Sequence, residues 1–162
     1  MSHAYSMLGF VVIVTLYGAI GYLAAAGAIS TARKIFAPKT EQIVYAMSLI
    51  VIALLYLAFT AYFGVASVWR VEVAAVAAFA ALGLMGVRLP FALIVGYPLH
   101  GLWDLLHELQ AHGVCSAFDH GQLTPIPLAY GVFCAVFDCY VGAYFYTRRA
   151  DWSAAWKTVA QS

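Results

Sequence analysis

Charge is what this chain lacks most. Of its 162 residues only 9% are Asp, Glu, Lys or Arg, whereas 65% are hydrophobic. A soluble domain carries roughly a quarter charged residues, so this chain cannot clothe a water-facing surface. The few charges also nearly cancel, 8 Lys+Arg against 7 Asp+Glu. That balance excludes the strongly basic footprint of a nucleic-acid-binding protein. Cysteine is scarce: Cys115, Cys134 and Cys139 are odd in number and lack CxxC spacing, which argues against a disulfide framework. The opening Met-Ser-His-Ala-Tyr-Ser holds no Lys or Arg, and the apolar run behind it is too long for the core of a cleavable signal peptide. It reads as a retained first helix.

What is present is apolar sequence in long runs, with a mean hydropathy of +0.89. A membrane-crossing helix needs roughly 20 mostly apolar residues. The chain divides into five such spans, at about 7–29, 42–66, 71–88, 90–110 and 127–147. The third is short and alanine-rich, which lets helices approach closely. Pro90 and Pro127 open the fourth and fifth, in the first-turn position that proline favours. With the N-terminus outside, the inner face collects Arg33, Lys34, Lys39, Arg88, Arg148, Arg149 and Lys157, and only Arg70 falls outside. The expected fold is therefore all-α: one polytopic transmembrane domain over residues 1–162, a five-helix bundle with the N-terminus outside and the C-terminus cytoplasmic. The expected location is a bacterial inner (plasma) membrane. Trp69, Trp152 and Trp156 fall near predicted interfaces as anchors, and Glu41 and Glu72 read as ordinary charges at the mouths of spans two and three.

The chemistry concentrates in spans four and five. At ~100° per residue, His100, Asp104 and His107 share one narrow face of span four, with Tyr97, Trp103 and Glu108 flanking it and leucines elsewhere. In span five, Cys134 and Asp138 share a face as i and i+4. At ~1.5 Å per residue, His100 and Asp138 both fall near mid-membrane. An Asp at a helix centre opposes insertion by about 2.5–3.5 kcal/mol, so such residues usually face the bundle interior, pair, and mark function. Three readings stay open: Asp–His hydrogen bonds that merely join two helices, a metal-free acid–base or proton-relay site, and a metal site. For the last, His100/Asp104 and Asp104/His107 have the i, i+4 and i, i+3 spacings that converge on an ion in helical metal sites. Asp138 and Cys134 would complete a set suited to Zn or Fe. Pro98 either bends span four to open a cavity or is simply tolerated. The loop residues His112, Cys115, Asp119 and His120 are a weaker metal or lid candidate.

His100-x-x-Trp103-Asp104-x-x-His107, then Pro125-Ile126-Pro127, then Cys134-Ala135-x-x-Asp138, resembles the small membrane proteins grouped as domain of unknown function 6010. The resemblance runs over roughly residues 42–147, outside the first span. Glu108, Phe133 and Cys139 stand where that family's pattern has histidine, glycine and proline. The resemblance implies that the seam matters and carries no reaction with it.

The expected function is a metal-dependent intramembrane enzyme, a hydrolase of a lipid or other apolar small molecule. His100, Asp104, His107, Asp138 and Cys134 are its candidate ligands; Glu108, Asp104 and Tyr97 are its candidate catalytic groups. The ion would lower the pKa of a bound water and a carboxylate would take its proton. A metal-free variant is an acid–base isomerase. The alternative class is a non-enzymatic proton or metal-ion binding or transport protein, or a subunit of a larger membrane complex. Small-residue spacing such as Gly21/Ala25 would allow a homo-oligomer.

Overall fold

In a computed structural model, which describes residues 2–111, 123–127 and 129–159, the chain is all-helical. Five helices follow one another: α1 (Ser2–Ile35), α2 (Pro38–Phe63), α3 (Trp69–Gly86), α4 (Pro90–Ala111) and α5 (Tyr130–Val159), with a short 3₁₀ turn at Ala66–Val68. Three stretches are long and apolar enough to cross a membrane, Leu8–Ile35, Pro38–Phe63 and Ala66–Gly86. The exterior agrees: Leu8, Leu16, Leu23, Val51, Leu84 and Phe91 are exposed, while Glu41, Glu72, His100, Asp104, His107 and Asp138 are buried. A soluble protein arranges its surface the other way.

Local chemistry sets the helix ends. Pro38 occupies the first turn of α2, and Gly64 closes that helix in the left-handed region (φ 66°), its N–H donating to the Thr60 carbonyl at 3.1 Å. The start of α5 differs from expectation. Pro127 stays outside the helix because Ala129 takes a left-handed φ of 59°, and regular structure begins at Tyr130. α5 also runs on to Val159, well past the apolar span.

α4 and α5 form the most extensive interface, α2 packs on α3 and α1 on α5, whereas α1 and α2 barely touch. Glycine allows the α4–α5 contact. A Cβ on Gly131 would sit 2.3 Å from the Asp104 carbonyl oxygen, and one on Gly101 would sit 3.0 Å from the Ala135 Cα. Pro98 lies within a continuous α4, its ring against Gly142 of α5, so its visible contribution is packing. Gly21 and Ala25 are likewise spent inside the molecule: Gly21 faces the Phe133 backbone and Ala25 is fully buried.

One end of the molecule is tied by a polar node. Glu41 is fully buried; one oxygen accepts from the Tyr144 hydroxyl. The other accepts from Arg148 Nη2 and Trp152 Nε1, both at 2.9 Å. Beside it, Gln42 donates to the Gly86 carbonyl at 2.7 Å and accepts from Trp156 Nε1 at 3.0 Å. Glu41 is thus no ordinary interfacial charge, and Trp152 is buried rather than an interface anchor. Trp156 is held between the Lys39 and Arg88 cations, 4.3 and 4.1 Å from its ring.

Candidate functional site

Helical spacing puts His100 and Asp104 one turn apart on α4, facing Asp138 of α5 across the glycine-lined contact. The His100 Nδ1 lies 2.9 Å from Asp104 Oδ2 and 2.9 Å from Asp138 Oδ2. All three groups are buried. The other Asp104 oxygen accepts a hydrogen bond from the Tyr56 hydroxyl of α2. One atom at this centre, His100 Nε2, is buried without a hydrogen-bond partner, and Asp104 Oδ2 has only the His100 Nδ1 beside it. A cavity of about 190 Å³ adjoins it, lined by Ile52, His100, Tyr130, Phe133, Cys134, Phe137 and Asp138.

Two carboxylates and one imidazole in an apolar interior need compensating charge, because burying an unpaired ion costs several kcal/mol. With both aspartates ionised and His100 neutral, the group carries two negative charges. Two protons or one divalent cation would neutralise it. One nitrogen and two oxygens, all within 4.8 Å of one another, form a group that could hold a metal ion. Ligand atoms of a tetrahedral zinc site lie roughly 3.3 Å apart, given metal–ligand bonds of about 2.0–2.2 Å. The 2.9 Å separations of His100 from each aspartate need open only by a few tenths of an ångström.

His107 takes a different partner. Its Nδ1 lies 2.8 Å from the Trp103 carbonyl, and its Nε2 lies 2.9 Å from Glu72 Oε1 of α3. A carbonyl oxygen can only accept, so Nδ1 carries a proton. The pair is then imidazolium–carboxylate or imidazole–carboxylic acid, and neutral overall in either form. Glu72 Oε1 also accepts from the Thr124 backbone N–H at 2.8 Å, while Oε2 is buried without a partner. The polar face of α4 is therefore divided among three neighbours: His100 turns to Asp138 of α5, Asp104 to Tyr56 of α2, and His107 to Glu72 of α3. Glu72 is a buried partner of His107, not a charge at the mouth of a span.

Glu108 lies apart from the His100 group. Its two oxygens accept from the backbone N–H groups of Ala129 (3.1 Å) and Gly131 (3.0 Å). A carboxylate there satisfies orphan donors at the N-terminus of α5 and complements the helix dipole. Tyr97 also points elsewhere, donating to the Tyr45 carbonyl of α2 at 2.9 Å. Cys134 is outside the three-residue group but lines the adjoining cavity, hydrogen-bonded to Tyr130. His112, Cys115, Asp119 and His120 lie outside the described residues.

Tyr56 and Glu72 were not legible as site residues. Tyr56 looks like any core tyrosine, and its partner is 48 residues away. Glu72 lies at the start of an apolar run, and only its contact with His107 reveals its burial.

The chain matches the family of unknown function DUF6010 over residues 17–151. It belongs to that family. The match takes in the second half of α1, beyond the region marked by the sequence motifs alone. No curated protein and no solved structure matches the chain. The DUF6010 assignment thus leaves the chemistry to be argued from the His100 group itself.

Proposed function

We propose that this DUF6010 protein is an integral membrane protein whose His100, Asp104 and Asp138 hold a divalent zinc or iron ion, and that it hydrolyses an apolar substrate admitted to the adjoining cavity. The observation that carries this reading is the convergence of one imidazole nitrogen and two carboxylate oxygens in one buried group. All five helices would cross the bilayer, N-terminus outside and C-terminus cytoplasmic, in a bacterial inner membrane. The basic residues support that direction. The contacts of Glu41 with Arg148 and Trp152 join the start of α2 to the end of α5, which fits five crossings in either direction.

A bound ion would supply Lewis acidity and a more acidic water. The chain's own groups do the rest. Tyr56, by donating to one oxygen of Asp104, leaves the second oxygen aimed at His100. Asp138 fixes the His100 ring from α5. With Glu108 occupied by the α5 N-terminus, a carboxylate of the group itself is the better proton acceptor. Ile52, Phe133 and Phe137 give the cavity an apolar wall, which fits a lipid-like substrate and excludes bulk water.

The Glu72–His107 pair favours a second reading, a proton-carrying protein or membrane-complex subunit. The Tyr56 ring lies 4.4 Å from the His107 ring and its hydroxyl meets Asp104, so two buried acid–base pairs are joined by one tyrosine. Elemental analysis of detergent-purified wild type beside Asp104→Asn separates the readings. About one zinc or iron per chain, lost in the variant, is expected for the metal site. No stoichiometric metal in the wild type would overturn it and leave the proton reading.

A further inference from the structure

The last turns of α1 carry a polarised stripe. Ala26, Ile29, Ser30, Arg33 and Lys34 follow one another at i, i+3, i+4, i+7 and i+8, so they share one face of the helix. α1 packs on α5, and this stripe lines an open groove of about 490 Å³ together with Tyr140 of α5. Such a volume falls within the roughly 300–1,000 Å³ usual for a small-molecule site. At ~1.5 Å per residue, Ala26 and Lys34 lie about 12 Å apart along the axis. Ala26 and Ile29 make the apolar end, inside the stretch Leu8–Ile35 that is long and apolar enough to cross a membrane. Ser30 and the two cations of the last turn, Arg33 and Lys34, make the polar end. Tyr140 forms the opposite wall, its ring set edge-on against Tyr22 at 4.8 Å.

The two cations are not otherwise engaged. At the same end of the molecule Lys39 and Arg88 lie over the Trp156 ring, Arg149 lies over Tyr146, and Arg148 meets Glu41 and Asp151. Among the described residues Arg33 and Lys34 have no such partner, and both are exposed. Cations in the last turn of a helix complement its dipole, and basic residues at the end of a span orient it. Neither effect calls for a groove, or for an apolar floor running from the charges back along the span. A phospholipid has the matching shape: an anion at the membrane boundary, which a guanidinium can hold through paired hydrogen bonds, and hydrocarbon running inward. A free phosphate would leave the apolar end unused.

We infer that the α1–α5 groove binds one anionic phospholipid, its phosphate held by Arg33 and Lys34 and one acyl chain lying over Ala26 and Ile29 beside Tyr140. This rests on α1 crossing the bilayer, as proposed above, and on nothing at the His100 group.

The test reconstitutes the whole chain in phosphatidylcholine nanodiscs holding a trace of phosphatidylglycerol with a diazirine near the carbonyl end of one acyl chain. Cross-linked peptides are mapped by mass spectrometry, with unlabelled phosphatidylglycerol or inorganic phosphate as competitor. Labelling should concentrate on Ala26, Ile29, Ser30 and Tyr140 and fall as unlabelled phosphatidylglycerol replaces phosphatidylcholine. Arg33→Gln and Lys34→Gln should each weaken it about fivefold, the contribution of one cation near an anionic headgroup. Ser30→Trp, which fills the groove and keeps both charges, should remove it. Lys157→Gln removes a cation of the same end that lies outside the groove and should leave it unchanged. An equal loss in Lys157→Gln would mean a general basic field, and labelling spread evenly over Leu8, Leu16 and Leu23 would mean annular lipid; either overturns the inference. Displacement by inorganic phosphate would make this a bare anion site and overturn the lipid. A chain that fails to enter nanodiscs would sink the membrane reading itself, an outcome distinct from entry without site-selective labelling.

Discussion

At Glu41 both carboxylate oxygens accept hydrogen bonds, from Tyr144, Arg148 and Trp152. At His100 the ring Nε2 remains without a hydrogen-bond partner in an equally buried place, and both aspartates crowd the single Nδ1. Both clusters join helices far apart in sequence, and both bury acids in an apolar protein. They differ in completeness. The Glu41 node pairs a carboxylate with a guanidinium, so its charge closes within the protein. The His100 group sets two carboxylates against one imidazole, so its charge closes only with two added protons or a divalent cation.

The largest effect that could break this contrast is at the node. Glu41→Leu strands the buried Trp152 Nε1, while Arg148 keeps Asp151 as a partner, and should cost about 1–3 kcal/mol of stability. Thermal unfolding in detergent should show it, while the metal content of the surviving folded protein stays unchanged. Metal loss in step with unfolding would erase the distinction between the two clusters.

Asp104→Asn should do the reverse. It should abolish stoichiometric metal but leave the metal-free protein as stable as, or more stable than, the metal-free wild type, since it removes one of two facing carboxylates. A strongly destabilised apo variant, by differential scanning fluorimetry, would make Asp104 structural glue. Next comes Tyr56→Phe, which removes the hydrogen bond that orients Asp104. Such supporting bonds typically contribute 10–100-fold to metal affinity, so competition with a chromogenic chelator should show a weakening in that range. The smallest change is expected for Trp156→Phe, where one hydrogen bond to Gln42 is lost. About 0.5–1.5 kcal/mol of stability should go with it, and metal binding should not respond.

Much of the His100 group was legible because a helix repeats on a short period. His100 and Asp104 lie one turn apart, and counting rise along antiparallel helices brings Asp138 to the depth of His100, where the structure places it. The same counting put His107 on the shared face and could not say that the face splits among α2, α3 and α5. Glu108 was misjudged for a related reason. Its chemistry suits a base, but it ends α4 beside the start of α5, whose first N–H groups demand an acceptor. That demand could have been read from the chain. The Tyr56 and Glu72 contacts could not, since nothing local in α2 or α3 signals a partner on α4. Trp152 illustrates the opposite error. Its amphipathic ring suits an interface, yet α5 stays helical far enough to bury it against Glu41 of α2.

The concentration of ionisable groups on α4 also bears on how the protein is made. Three stretches among the described residues, drawn from α1 to α3, are long and apolar enough to cross a membrane. α4 carries His100, Asp104, His107 and Glu108; His100 and Glu108 meet partners on α5 or just before it, Asp104 meets Tyr56 of α2, and His107 meets Glu72 of α3. Released alone from the translocation machinery, α4 would meet the full penalty of its acids and histidines. Paired with α5, two of the four are met, and α2 and α3 must supply the others. Burial of α4 should therefore come last, once α2, α3 and α5 are all in place around its polar face.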